Sequence, residues 1–166
     1  MTDALAPFAV PDPEDSRPGL ETLLFGFSRA LDRRQPLAAA EHFTDQGLFR
    51  PGDTEIRGRD AIGAFYQDRQ SDPRRATRHQ WTNIQVQPVS RTQARLTALL
   101  TTYALEPKVS LADLQVRIGD VDCLCQRQDD GQWRFVEHLY TRAFTASLPL
   151  SGPAATNAAP NPDPKP

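Results

Sequence analysis

The sequence has two cysteines, no long apolar run and almost no net charge, and each shortage removes a class of protein. Cys123 and Cys125 lie two apart in a segment of strand character, so their side chains share a face while the extended backbone holds them too far apart for an ordinary disulfide. Two thiols without nearby ligands do not complete a metal site, and small reduced core residues are the expectation. No segment approaches the roughly 20 apolar residues that a membrane helix needs. The N-terminal stretch MTDALAPFAVPDPEDSRPG has no basic region leading into an apolar one, so no membrane partner is expected and a cytoplasmic location is. A net charge of -2 gives no global attraction for nucleic acid. The cluster Arg74, Arg75 and Arg78 is the local exception, and a solvated rim is its simplest form. No Ser/His/Asp nucleophile pattern, phosphate-cradling glycine loop, or flavin or nicotinamide fingerprint is present. Any reaction is therefore expected to run without a cofactor or a metal.

What is present divides into three parts. Residues 1–17 hold three prolines and several acids, which predicts an extended arm, and residues 147–166 are rich in Pro, Ala and Asn, which predicts a flexible tail. Between them, residues 18–146 carry the folding signal. In GLETLLFGFSRALDR (19–33), Leu23, Phe27, Ala30 and Leu31 form a helical stripe that Leu24 and Phe25 widen. A short second helix follows Pro36, and a third is predicted in RDAIGAFYQDRQ, with Asp60 near its start and Ile62, Phe65 and Tyr66 on one side. From His79 the period becomes two. Strands are predicted over 79–88, 93–106, 112–127 and 132–145. In the first of these the apolar parity switches from odd Trp81 to even Ile84 and Val86, which predicts a bulge near Thr82 or Asn83. Three N-terminal helices followed by long strands give an α+β domain, with a mixed or antiparallel sheet expected to curve strongly around the helices into a cone.

The order FTDQGLFRPGDTEIRGRDAI, TRHQWTNIQV, ARLTALLTTY, GDVDCLCQRQDDGQWRF resembles the SnoaL-like family of the nuclear transport factor 2-like superfamily over nearly all of residues 18–146. That resemblance implies a conical α+β fold, a homodimer formed through the sheet, and a cavity for a hydrophobic small molecule between sheet and helices. It does not imply one reaction, because the superfamily includes cyclases, dehydratases, isomerases, small oxygenase subunits and noncatalytic binding domains.

Within the resemblance, His79 matches the histidine that opens the TRH strand, and it is the first candidate for acid/base work near neutrality. Asp122 is the preferred carboxylate partner, with Asp120 its neighbour of equal parity. Asp32, at the end of the first helix, lies where related proteins place an acid opening onto the cavity. Tyr103 is a candidate donor to a substrate oxygen that gains charge. Trp81, Phe27, Phe49, Phe65, Leu100 and His138 are the expected pocket lining, each equally at home in a core. Two departures from the family pattern stand out: Val121 where active members often carry tyrosine, and Glu137-His138-Leu139 where basic residues are often found. The function expected is a cofactor-independent acid/base enzyme of the lyase or isomerase class, performing dehydration, isomerisation or cyclisation on a carbonyl- or hydroxyl-bearing compound. The alternatives are a noncatalytic dimeric binding or accessory domain, or a small oxygenase subunit.

Overall fold

The computed structural model describes residues 13–150. Its elements are α1 (Pro13–Asp32), α2 (Pro36–Ala40), β1 (Phe43–Pro51), β2 (Ile56–Arg57), α3 (Arg59–Arg69), β3 (Ala76–Pro88), β4 (Gln93–Glu106), β5 (Ser110–Arg127) and β6 (Trp133–Pro149). Helix α1 starts six residues before Gly19, so residues 13–17 of the expected arm are helical, and the start of the expected tail, residues 147–149, continues β6. Residues 1–12 of the arm and 151–166 of the tail lie outside the described residues.

The six strands form one sheet in the order β2-β1-β6-β5-β4-β3. Only β1 and β6 run parallel; the long strands β3 to β6 form an antiparallel meander. The α+β class and the helices packed on a mixed sheet agree with the sequence. The cone does not: the sheet is open, is not strongly curved, and ends in two separate edges, β2 and β3. Local register shifts bend the long strands without closing the sheet. One falls between Thr82 and Gln85, where Asn83 takes φ 55°, and others fall at Ile118/Gly119 and Leu124/Cys125. Each bulge re-aims side chains and adds twist locally without bringing the edges together. Gly119 sits at such a point because a Cβ there would lie 2.4 Å from the Thr141 carbonyl oxygen.

Strand parity assigns the faces. In β4 the even residues Ala94, Leu96, Ala98, Leu100 and Ala104 are buried, and in β5 the odd residues Val121, Cys123 and Cys125 are buried. These pack under α1, whose Leu20, Leu23, Leu24, Phe27 and Leu31 are buried in the same core. Gly26 lets α1 approach His42, since a Cβ there would fall 2.6 Å from the imidazole Nε2. Both cysteines are free, and burial raises both thiols well above the usual range, so they serve as small core residues.

Candidate active site

Along α1, Ser28 and Asp32 are four residues apart and share a face, and along the start of β3, Thr77, His79 and Trp81 alternate toward it. The two rows meet. Trp81 Nε1 donates to the Ser28 hydroxyl, which in turn donates to the Leu24 carbonyl at 2.9 Å. One helical turn further on, the Asp32 carboxylate accepts from three groups of β3: the Thr77 hydroxyl at 2.9 Å, the His79 backbone N–H at 3.1 Å and His79 Nδ1 at 2.6 Å. Arg34, just past the helix, donates to the carbonyls of Gln70, Asp72 and Arg75 and so ties the segment leading into β3 to the end of α1.

A carboxylate at a helix C-terminus faces the negative end of the helix dipole, an unfavourable place for it. Three donors offset that cost and fix the orientation of Asp32. With Nδ1–H engaged by the carboxylate, the imidazole is held in the tautomer whose Nε2 lone pair is available as a base. Nε2 makes no hydrogen bond among the described residues. The pair is mostly sheltered, with side-chain exposures of 12% for His79 and 17% for Asp32. It borders a cleft of about 410 Å³ lined by Phe25, Ser28, Arg29, Arg33, Arg78 and Trp81 besides the pair itself. The cleft thus offers two aromatic walls, three guanidinium groups and one oriented base.

The other predicted site residues are not brought to this pair. Asp122 has the opposite parity from the buried Val121 and Cys123, lies on the outer face of the sheet, and pairs with Arg95 at 3.0 Å. Asp120 shares its parity and its face. Tyr103 also faces outward, its hydroxyl 3.4 Å from Gln80 Oε1. A one-residue difference in strand position reverses the face, so Asp122 and Tyr103 cannot reach His79. An outer groove of about 800 Å³ is lined by Asp120 and Asp122 with Arg50, Asn83, Thr97 and Leu99 among others.

Of the expected pocket residues, Trp81 borders the cleft. Phe27, Phe49, Leu100 and His138 are buried in the interior, and Phe65 packs against Phe49 with ring centroids 5.8 Å apart. His138 is 2% exposed and sits among Phe27, Phe43, Phe49 and Phe135, with ring centroids 5.0–6.2 Å away. Neither of its ring nitrogens has a partner among the described residues. Burial, with a smaller contribution from repulsion by His79, pushes its pKa down to about 4. Ser28, Thr77 and Arg34 escaped the sequence reading. The signal for the first two was there: polar residues spaced four apart on the apolar side of a helix, and two apart on one face of a strand.

The model of the family described as SnoaL-like domain matches residues 16–138. A search of curated proteins returned no match. Among solved structures, a candidate scytalone dehydratase from Novosphingobium aromaticivorans DSM 12444 superposes with a TM-score of 0.71 at 20% identity, over 88% of this chain and 96% of that one. A hexachlorocyclohexane dehydrochlorinase (LinA, type 2) gives 0.71 at 17% identity, over 89% and 95%. ActVI-ORFA from Streptomyces coelicolor gives 0.68 at 19% identity, over 79% and 97%. At these identities the likeness concerns the fold.

Proposed function

This chain belongs to the SnoaL-like domain family, and on that premise we propose that it is an acid/base enzyme acting on a hydrophobic small molecule, with His79 as the general base and Asp32 as the group that orients it. The observation that carries this is the 2.6 Å contact between His79 Nδ1 and an Asp32 carboxylate held by two further donors. Such a pair has the parts a proton transfer needs. His79 Nε2 removes a proton from a carbon next to a carbonyl, or from one neighbouring a carbon that bears a leaving group. Asp32 then stabilises the imidazolium that forms. If the imidazolium returns its proton to another carbon, the result is isomerisation; if it protonates a departing hydroxyl, water leaves and the result is dehydration.

Elimination ranks first, because the names of two structurally similar proteins, a candidate dehydratase and a dehydrochlorinase, both describe eliminations. Developing negative charge on the substrate would be met by Arg29, Arg33 and Arg78, which line the same cleft, in place of Tyr103. A purely binding domain has no need of a carboxylate locked onto a histidine, so the same contact weighs against that alternative. No helix among the described residues is long and apolar enough to cross a membrane.

The test is exchange of carbon-bound protons. Hydrophobic ketones and β-hydroxy ketones incubated with the protein in deuterated water are expected to incorporate deuterium, or to eliminate, with the wild type and not with His79→Gln. Equal exchange by both proteins would remove His79 from the chemistry. The homodimer belongs to the same proposal, motivated by the exposed Phe144 and Leu148 and by the outer sheet face. Sedimentation at the mass of the 18.5 kDa monomer alone at micromolar concentration would remove it.

A further inference from the structure

Away from the cleft, three elements and the residue preceding β3 bring charged side chains to one point on the helix side of the sheet. Arg75, the residue just before β3, places Nε 3.2 Å and 3.3 Å from the two carboxylate oxygens of Glu106 on β4. Arg69 from α3 and Arg117 from β5 each approach Glu106 Oε2 to 3.4 Å. Arg75 and Glu106 are 9% and 11% exposed, and Arg117 is nearly as sheltered. Three guanidinium groups therefore share one carboxylate, a surplus of two positive charges in a partly buried place.

One carboxylate cannot present a fork to three guanidinium groups at once. A charge-assisted bond runs about 2.7–2.9 Å and an Arg–carboxylate pair is frequently a two-pronged fork; here every contact is longer and none is a fork. Burial, and then repulsion from Arg75, depress Arg69 below the usual arginine range, and Arg142 adds to the repulsion. Arg69 is the outermost of the three and lies over the Phe65 ring at 5.7 Å, which sets an aromatic surface beside the cations.

Register fixes the distance to the histidine. Thr102 of β4 is the cross-strand partner of His79 on one side and of Arg117 on the other. His79 and Arg117 thus stand in one row, two strands apart and on the same face, which at the usual strand spacing separates their Cα atoms by about 10 Å. That is within the length of one small organic molecule.

We propose that Arg69, Arg75 and Arg117 form an oxyanion-binding subsite and that the substrate of His79 is an organic acid whose carboxylate is held there. The second half rests on the acid/base function proposed above; the subsite itself does not. Glu106 gathers the guanidinium groups and competes with the incoming anion.

Calorimetric titration of the full chain with sodium sulfate and, separately, with sodium benzoate, at ionic strength held constant with chloride, tests both halves. Saturable binding of both anions is expected. Arg117→Gln is expected to weaken it at least about tenfold, as one direct charge is lost, and Glu106→Gln to tighten it about tenfold, as a competing charge is removed. No saturable binding by the wild type, or equal binding by Arg117→Gln, would overturn the subsite. Binding of sulfate but not of benzoate would overturn the link to an organic acid. If Arg117→Gln fails to fold, Arg69→Gln at the most exposed of the three takes its place, and equal binding by that variant overturns the subsite. The two proposals fail separately: His79-dependent turnover without anion binding sinks the subsite, and Arg117-dependent anion binding with His79-independent turnover sinks the acid/base role.

Discussion

His79 and His138 both point to the helix side of the same sheet, yet their surroundings make them different chemical groups. His79 has a carboxylate at 2.6 Å and borders a cleft. His138 is enclosed by aromatic rings, has no partner for either nitrogen among the described residues, and has its pKa pushed down to about 4 by burial. The contrast teaches that position on the inner face is not enough for acid/base work. A base near neutrality needs a partner to fix its tautomer and stabilise its cation, and a route for substrate; aromatic enclosure supplies neither.

The largest expected effect separates the two directly. Asp32→Asn removes the charge that stabilises the His79 cation and invites the wrong tautomer, so turnover is expected to fall by about two to four powers of ten. His138→Leu keeps the cleft and is expected to change turnover less than about tenfold, since no reacting proton depends on it. Steady-state rates of the two purified variants on one substrate make the comparison. If His138→Leu proves the more damaging, the roles assigned to the two histidines are reversed.

The next effect is on stability against pH, and its sign follows from burial. The unfolded chain protonates His138 near 6.5, whereas the folded chain resists until about 4. The unfolded state therefore takes up the proton first. The contribution is fully present above pH 6.5, is lost as pH falls from 6.5 toward 4, and changes no further below that. The whole span is about 3 kcal/mol at most. Urea denaturation at several pH values is expected to show this acid limb in the wild type and a shallower one in His138→Leu. An unchanged limb would mean that His138 finds a proton acceptor in the folded protein.

A smaller effect sharpens what holds His79 in place. Thr77→Val deletes one of the three donors to Asp32 while preserving shape, and is expected to cost about 1 kcal/mol of stability and roughly tenfold in turnover. Loss of turnover without any change in the pH dependence of the rate would mark Thr77 as a positioning residue. A shifted pH profile would mean that its hydroxyl tunes the base as well.

Much of this arrangement was legible in the sequence, and what was not has definite physical causes. The helical stripe of α1, the long strands and the α+β class follow from periodicity, which burial imposes on sequence directly. The parity switch between Trp81 and Ile84 located the bulge at which Asn83 takes its positive φ. Curvature was not legible, because closure depends on which edges meet, and no residue pattern states that β2 and β3 remain apart. Nor was the partner of His79. The resemblance points to Asp122 through its family-like position before Leu124 in GDVDCLCQR, but the face it takes depends on a parity that neighbouring bulges can reverse. Asp32 reaches the histidine because a helix end happens to lie against an edge strand 47 residues away in sequence, a tertiary contact that local spacing does not encode.

The outer face offers the smallest effect and the most direct check on that parity. Asp122 and Arg95 form a half-exposed ion pair across β4 and β5, and such pairs contribute little because solvent screens them. Asp122→Asn is expected to change stability by no more than about 0.5 kcal/mol and to leave turnover within roughly twofold of wild type. The same carboxylate-to-amide change at Asp32 is expected to be at least fiftyfold worse, on the scale of a positioned acid/base partner. Two aspartates of equal chemistry thus differ in what they touch: one meets an imidazole on the sheltered face and the other a solvated arginine on the opposite face. If Asp122→Asn matched Asp32→Asn in its loss of turnover, the reacting face would be the outer one, and the cleft between α1 and β3 would not be the site of chemistry.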